Sequence, residues 1–301
     1  MLVAAAVCPC PPLLVPALAA GAARETEELR EACRTALRRL LAADADRLVV
    51  VGPADRPIGA GAPVGDGGPA PGPRVLPAGT PGSFAGFGVP LEVTLGSPER
   101  SAAPGHDDAP GADGGAAPSV VGLPLAHAVA AFLLGEVTAD AGDDPALPPV
   151  SGLVLPPDLS PERCLETGRE LAADPTVGRV ALLVMGDGSA CRGPRAPGWH
   201  DDRAEEFDAG VSAALAAVDT SALAALDPAL AEELRAVGRP GWQVLAGAAG
   251  PGNGTPCGGL RGELLHDGAP YGVAYPVALW HCEEERPTGP ADPDGSARLI
   301  G

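Results

Sequence analysis

Short apolar runs and longer amphipathic stretches follow one another along this chain. Short runs of Val, Leu and Ala predict buried strands at Leu2–Val7, Leu48–Val51, Gly152–Leu155 and Val180–Met185. Between the first two runs, apolar residues recur every three or four positions over Arg24–Ala43, which predicts an amphipathic helix. Strand, helix and strand at this spacing form a βαβ unit, so these two strands should be parallel.

The later part of the chain predicts more helices and a closing pair of strands. Ser160 followed by Pro161 and Glu162 predicts the start of a helix over Pro161–Ala173. The other predicted helices are Leu123–Glu136, Asp201–Val218, Ser221–Leu226, Pro228–Val237 and Trp242–Ala249. A weakly alternating strand is predicted at Val89–Leu95, and a hairpin at Gly262–Leu265 and Val273–Leu279.

These elements predict the α/β class, with a central, mostly parallel sheet flanked by helices and closed by a C-terminal hairpin. We expect a single domain over residues 1–283, with Gly/Pro/Ala-rich loop insertions at about 53–84 and 97–118 and a flexible tail at 284–301. Aromatic residues make up only 3% of the chain, so the core must be built from Ala, Val and Leu.

Charge and cysteine usage narrow the classes of function. The chain has a net charge of −19. Binding to nucleic acid or to an anionic lipid surface requires clustered Lys and Arg, so neither partner is expected. No breaker-free apolar run is long enough to span a membrane, and no basic segment precedes the apolar N-terminus as in a signal peptide. The seven scattered cysteines form no CxxC pair and fit a reducing compartment better than a disulfide framework, which predicts a cytoplasmic protein.

Ligands of open parallel sheets bind beyond the carboxyl ends of the strands. Here those ends are residues 8–10 after the first strand, 52–55 after the second, and 186–189 after the strand that ends at Met185. We therefore expect any chemistry at these three turns.

The segments at these turns resemble one known family. CPPLLVP at residues 10–16 resembles the HPPLL(I/V)P opening of the catalytic subunits of the class III extradiol ring-cleavage dioxygenases. VVVGPA at 49–54 is similar to that family's second strand, which ends in Ser-Pro-His, and LVMGDGSA at 183–190 is similar to its Gly-Asp-Leu-Ser-His segment. APGWHD at 196–201 and PYGVAY at 270–275 resemble the family's later segments, in the same order.

The resemblance implies Fe(II)- and O₂-dependent cleavage of catechol-type rings, with iron held by two histidines and one carboxylate and a further histidine as acid and base. The two histidine ligand positions hold Cys10 and Ala54, and the acid/base position holds Ala190. The place of the carboxylate corresponds to Ala236–Gly238, with Glu232 and Glu233 one turn earlier. No cofactor is therefore expected, and the chain is predicted to be a non-catalytic or repurposed relative that binds a small aromatic molecule or a partner, with a homo-oligomer as a structural possibility.

Three residues are candidates for a retained cleft: Asp187, His127 and His200. The alternatives are a turn-capping role for Asp187, a half-buried helical position for His127 and a surface position for His200. A second hypothesis is an enzyme with thiol or acid/base chemistry, with Cys191 as a candidate thiol, or with a replacement metal site. Such a site would draw on Cys8, Cys10, Asp55, Asp187, Cys191 and His200.

Overall fold

The computed structural model describes residues 1–55, 72–96, 122–140, 147–174, 178–250 and 259–282. Its main sheet contains seven strands in the order β3-β6-β2-β7-β1-β9-β8. These strands are β1 (Leu2–Cys8), β2 (Arg47–Pro53), β3 (Arg74–Leu76), β6 (Val150–Leu155), β7 (Val180–Met185), β8 (Leu260–His266) and β9 (Val277–Cys282). A separate two-stranded sheet pairs β4 (Pro81–Ser83) with β5 (Glu92–Thr94).

The four central strands β6, β2, β7 and β1 are mutually parallel, and the edges are antiparallel. The predicted α/β architecture with a mostly parallel sheet and a C-terminal hairpin is thus confirmed. Each central strand is an almost continuous apolar run because helices cover both of its faces.

Eight α-helices lie within the described residues. They are α1 (Pro16–Ala19), α2 (Glu27–Leu41), α3 (Leu125–Asp140), α4 (Pro161–Ala173), α5 (Arg203–Ala217), α6 (Thr220–Ala224), α7 (Pro228–Glu233) and α8 (Arg239–Ala249). Helices α2 and α3 pack on one face of the sheet, and α4 to α8 contribute the core on the other face. None of the helices in the described ranges is both long and apolar enough to cross a membrane.

Two sequence expectations need correction. The predicted loop insertion at 53–84 contains β3 and β4, because Leu76 is buried against the sheet and Gly82 lies tightly beside Leu123. The expectation of reduced cysteines fails at Cys282, which is disulfide-bonded. Among the described residues, five cysteines are free and buried: Cys8, Cys10, Cys33, Cys164 and Cys191. The predicted insertion at 97–118 and the tail at 284–301 lie outside the described residues.

Candidate functional site at the carboxyl edge of the sheet

Cys10 and Asp187 meet at the carboxyl ends of β1 and β7. The two strands pair in parallel with Cys8 opposite Met185, so the turns after them leave the sheet side by side. The backbone N–H of Cys10 donates to Asp187 Oδ1 at 2.7 Å. The carboxylate therefore acts as a hydrogen-bonded link between the two turns.

Burial raises the pKa values of both side chains. Removal of the Asp187 carboxylate from water raises its pKa to about 6, although the hydrogen bonds from Cys10 lower it. Burial, and then the neighbouring Asp187 charge, raise the pKa of the Cys10 thiol well above its ordinary value. Because the thiolate is the form that attacks electrophiles, Cys10 is a poor nucleophile at neutral pH.

Tyr275 is a third member of this site that sequence reasoning missed. Its side chain is buried, and burial followed by the charges of Asp187 and Cys10 raises the pKa of its phenol. Two backbone hydrogen bonds hold the adjoining residue in place: Gly188 N donates to Ala274 O, and Ala274 N donates to Ser189 O. The PYGVAY segment contained this tyrosine, but nothing in the sequence assigned it a role.

Neighbours of the positions at which the resemblance implies iron ligands also reach this edge of the sheet. Asp55, the neighbour of Ala54, lies close enough to Cys10 for its charge to raise the pKa of that thiol. Its Oδ1 accepts the N–H of Leu125 at 2.8 Å, so this carboxylate caps the start of α3. Gly238 N donates to Asp187 O at 2.9 Å, which brings the 236–238 segment beside the same turn.

Fe(II), the metal that the resemblance implies, does not fit these residues. Ala54 and Ala190 have no donor atom, and the sulfur of Cys10 is a softer ligand than the imidazole that the resemblance implies at its position. Glu232 is exposed, and Glu233 accepts a hydrogen bond from Arg203 at 2.8 Å. Neither glutamate takes the place of the carboxylate ligand in the described structure.

His127 is held inside the core and does not line an open cleft. Its ring is fully buried against the backbone of Gly52 on β2 and Gly152 on β6, where a Cβ on either glycine would lie 3.0–3.1 Å from the ring. Nε2 lies 3.2 Å from Leu153 O, and the backbone of Val50 also lies within hydrogen-bonding range of the ring. Burial lowers the pKa of His127 to about 4, so the imidazole is neutral at pH 7.

His200 lies on the surface. Its side chain is 55% exposed, and Nε2 lies 3.0 Å from Asp202 Oδ1 on the exposed start of α5. The neighbouring candidate thiol, Cys191, is buried, and its Sγ contacts the carbonyl oxygens of Gly198 and Leu234. Burial raises its pKa, which makes it an unreactive thiol.

The structure does not assemble the predicted replacement metal site. Among the described residues, no group of three His, Cys, Asp or Glu side chains is arranged to hold a metal ion. Asp187 and Cys10 are in contact, but Cys191 and His200 are engaged by other partners. The hypothesis of a replacement metal site at these residues therefore receives no geometric support.

A second buried carboxylate anchors the turn that carries Asp187. Asp208 on α5 accepts the backbone N–H of Ser189 at 2.8 Å and its hydroxyl at 2.5 Å, and Arg192 approaches the same carboxylate at 3.5 Å. Sequence reasoning missed this contact, although a lone aspartate on the apolar side of a predicted helix is a signal for a buried partner. The Ser189 hydroxyl is fully buried and bonded, so it is not an available nucleophile.

Comparisons with known proteins show similarity to solved structures but not to a family. No protein-family model matches the chain, and no curated protein matches it. A crystal structure of an uncharacterized protein from Escherichia coli K12 is similar, with a TM-score of 0.44 and 16% sequence identity over 92% of this chain and 99% of that chain. A similarity at this level supports no conclusion about function.

Proposed function

We propose that this chain is a non-catalytic or repurposed relative of the class III extradiol dioxygenases. It would act by binding a small molecule or a partner protein instead of cleaving aromatic rings. The observation that carries the proposal is the contact between Cys10 N and Asp187 Oδ1 at 2.7 Å. In this contact the Asp187 carboxylate holds two turns together, at the place where the resemblance implies iron chemistry.

The chemistry of the neighbouring side chains supports the same proposal. Ring cleavage requires two imidazoles and a carboxylate that leave open coordination positions on Fe(II). Methyl groups at Ala54 and Ala190 can neither coordinate a metal nor transfer a proton. The nearby histidine, His127, is buried and neutral, with one ring nitrogen next to a backbone carbonyl.

Iron loading and oxygen uptake test this proposal. The protein is incubated with Fe(II) without oxygen and desalted, and its iron content and oxygen consumption with a panel of catechols are measured. We expect substoichiometric iron and no oxygen uptake above the buffer rate. A matched variant that carries Cys10→His, Ala54→His and Ala190→His should bind more iron than the natural chain, since these positions share one edge of the sheet. Stoichiometric iron with a ring-opened product from the natural chain would contradict the proposal.

An enzyme without iron is the second candidate. A pKa of about 6 places Asp187 in the range of general acids and bases, and perturbed carboxyl groups concentrate in active sites. The raised pKa values of Cys10 and Cys191 argue against the thiol form of this alternative. Rapid alkylation of Cys10 in the folded protein at pH 7 would favour it over the binding role.

A cytoplasmic location and self-association belong to the same proposal. The five free buried thiols agree with a reducing compartment, whereas the Cys282 disulfide does not. Size-exclusion chromatography with light scattering measures self-association directly, and a monomer at micromolar concentration would remove the oligomer from the proposal.

A further inference from the structure

A cavity of about 340 Å³, here called the α4 groove, lies between helix α4 and the β2, β6 and β3 side of the sheet. The residues that matter for its chemistry are Arg47, Val49, Ser151, Leu153, Thr167 and Leu171. The volume is at the lower end of the range for small-molecule sites. The groove opens on the face of the sheet covered by α4 and α8, and neither Cys10 nor Asp187 lines it.

The groove exists because α4 is packed on α8 instead of on the edge of the sheet. A Cβ at Gly168 would lie 2.0 Å from Val244 O, and one at Gly247 would lie 2.2 Å from Leu165 O, so the two helix backbones touch. Within the described ranges, this close crossing keeps α4 beside α8 and leaves the groove between α4 and the outer strands. Val75 on the edge strand β3, which also lines the cavity, is consequently 63% exposed.

The lining combines an apolar floor with a positioned cation. Val49 and Leu153 project from β2 and β6 on this face, and Leu171 faces them from α4. Arg47 Nη2 and Nε donate to Ser151 Oγ at 2.9 and 3.3 Å, which positions the guanidinium at the floor of the groove. Thr167 Oγ1 donates to Arg163 O at 2.7 Å, so its lone pairs remain available as acceptors.

The arrangement of charges in the groove favours an anion. Glu170 at the rim is paired with Arg163 at 3.2 Å, whereas Nε and Nη2 of Arg47 both donate to the neutral hydroxyl of Ser151. A carboxylate or sulfonate that reached this guanidinium would form a charge-assisted hydrogen bond, which is stronger than a bond between neutral groups. Asp174 also lines the groove, so an anionic ligand would meet one negative charge there as well.

We infer that the α4 groove binds a small amphipathic anion, with an apolar body of one or two rings on Val49, Leu153 and Leu171 and an acidic group at Arg47. The inference rests on the proposed binding role and names its site and its class of ligand. Iron content and oxygen uptake do not enter its test, so the two proposals can fail separately.

A pair of fluorescent probes that differ in charge tests the inference. The anion 1-anilinonaphthalene-8-sulfonate and the uncharged N-phenyl-1-naphthylamine are titrated into the full chain. We expect 1:1 binding of the anion. The Arg47→Met variant should weaken anion binding about tenfold, the effect of one lost charge-assisted bond, and leave the uncharged probe within about twofold. Thr167→Phe, which fills the groove, should abolish binding of both probes.

The control variant is Arg39→Met, because it removes the same charge from α2 on the opposite face of the sheet, where Arg39 pairs with Glu263. It should leave both affinities unchanged, and near-ultraviolet circular dichroism shows whether each variant keeps its packing. No binding of the anion by the natural chain would overturn the inference. Equal losses for both probes in Arg47→Met, or unchanged binding in a folded Thr167→Phe, would overturn it as well.

Discussion

At the scale of single residues, Asp187 is a titratable group that the backbone of a neighbouring turn holds in place. Its carboxylate accepts the Cys10 N–H and is largely removed from water, so folding raises its pKa to about 6, and the group is still mainly ionised at pH 7. A polar group in this setting contributes a hydrogen bond between turns, but its ionisation costs stability at neutral pH.

Replacement of Asp187 by Asn should therefore stabilise the protein in a pH-dependent way. The folded-state pKa of about 6 is above the ordinary value of 3.8, so ionisation in the folded state is opposed. This penalty is absent below about pH 4, grows as the pH rises to 6 and is complete above it. The free energy of unfolding of Asp187→Asn relative to the natural chain should rise by at most about 3 kcal/mol over this interval, as urea titrations at pH 4, 5, 6 and 7 can show.

Asp187→Ala is the matched control for this measurement. It removes the charge and also the acceptor of the Cys10 N–H, so it should be less stable than Asp187→Asn at every pH by about 1–3 kcal/mol. A difference between the Asn variant and the natural chain that stays constant from pH 4 to pH 7 would show that burial of the charge is not its cause.

At the scale of elements, the crossing of α4 and α8 depends on two glycines. A methyl group at Gly168 would lie 2.0 Å from the carbonyl oxygen of Val244, which is backbone and cannot move aside. Gly168→Ala should lower the free energy of unfolding by about 3 kcal/mol, the upper part of the range for overpacked contacts.

Gly135→Ala on α3 is the matched control, since nothing lies within 4 Å of its new methyl group. That change should stabilise the protein by about 0.5–1 kcal/mol through helix propensity. Chemical denaturation of both variants measures the two effects, and equal effects would contradict the role of the crossing.

Elements with strong local signals could be predicted from the sequence, and elements formed by tertiary contact could not. The helix at Pro161 begins where expected because the Ser160 hydroxyl accepts the N–H of Arg163 at 3.3 Å. Helix α8 begins at Arg239 instead of the predicted Trp242. A Pro is tolerated in the first turn because the N–H that it lacks would have no acceptor within the helix there. Strand β4, with Pro81 at its start, has no apolar alternation, and it forms only because β5 pairs with it.

The same limit applies to the candidate site. The sequence placed Cys10, Ala54 and Asp187 at strand ends, and parallel pairing brings those ends to one edge. The burial of His127 could not be predicted, because it depends on Gly52 and Gly152 lying on neighbouring strands. The α4 groove was not predicted either, because a gap between elements has no pattern in the sequence.

At the scale of the whole molecule, the net charge of −19 must act on stability through repulsion between like charges. Surface ion pairs such as Arg39–Glu263 offset it only locally. At pH 7 an increase of NaCl from about 20 to 200 mM shortens the Debye length from roughly 20 to 7 Å, so the melting temperature should rise by a few degrees. Close to the pI of about 4.5 the net repulsion vanishes, and the same salt should leave the melting temperature unchanged or lower it as the ion pairs are screened. Differential scanning calorimetry at both pH values measures this, with KCl as a check against ion-specific effects. A fall in melting temperature with salt at pH 7 would mean that the ion pairs outweigh the excess of acidic groups.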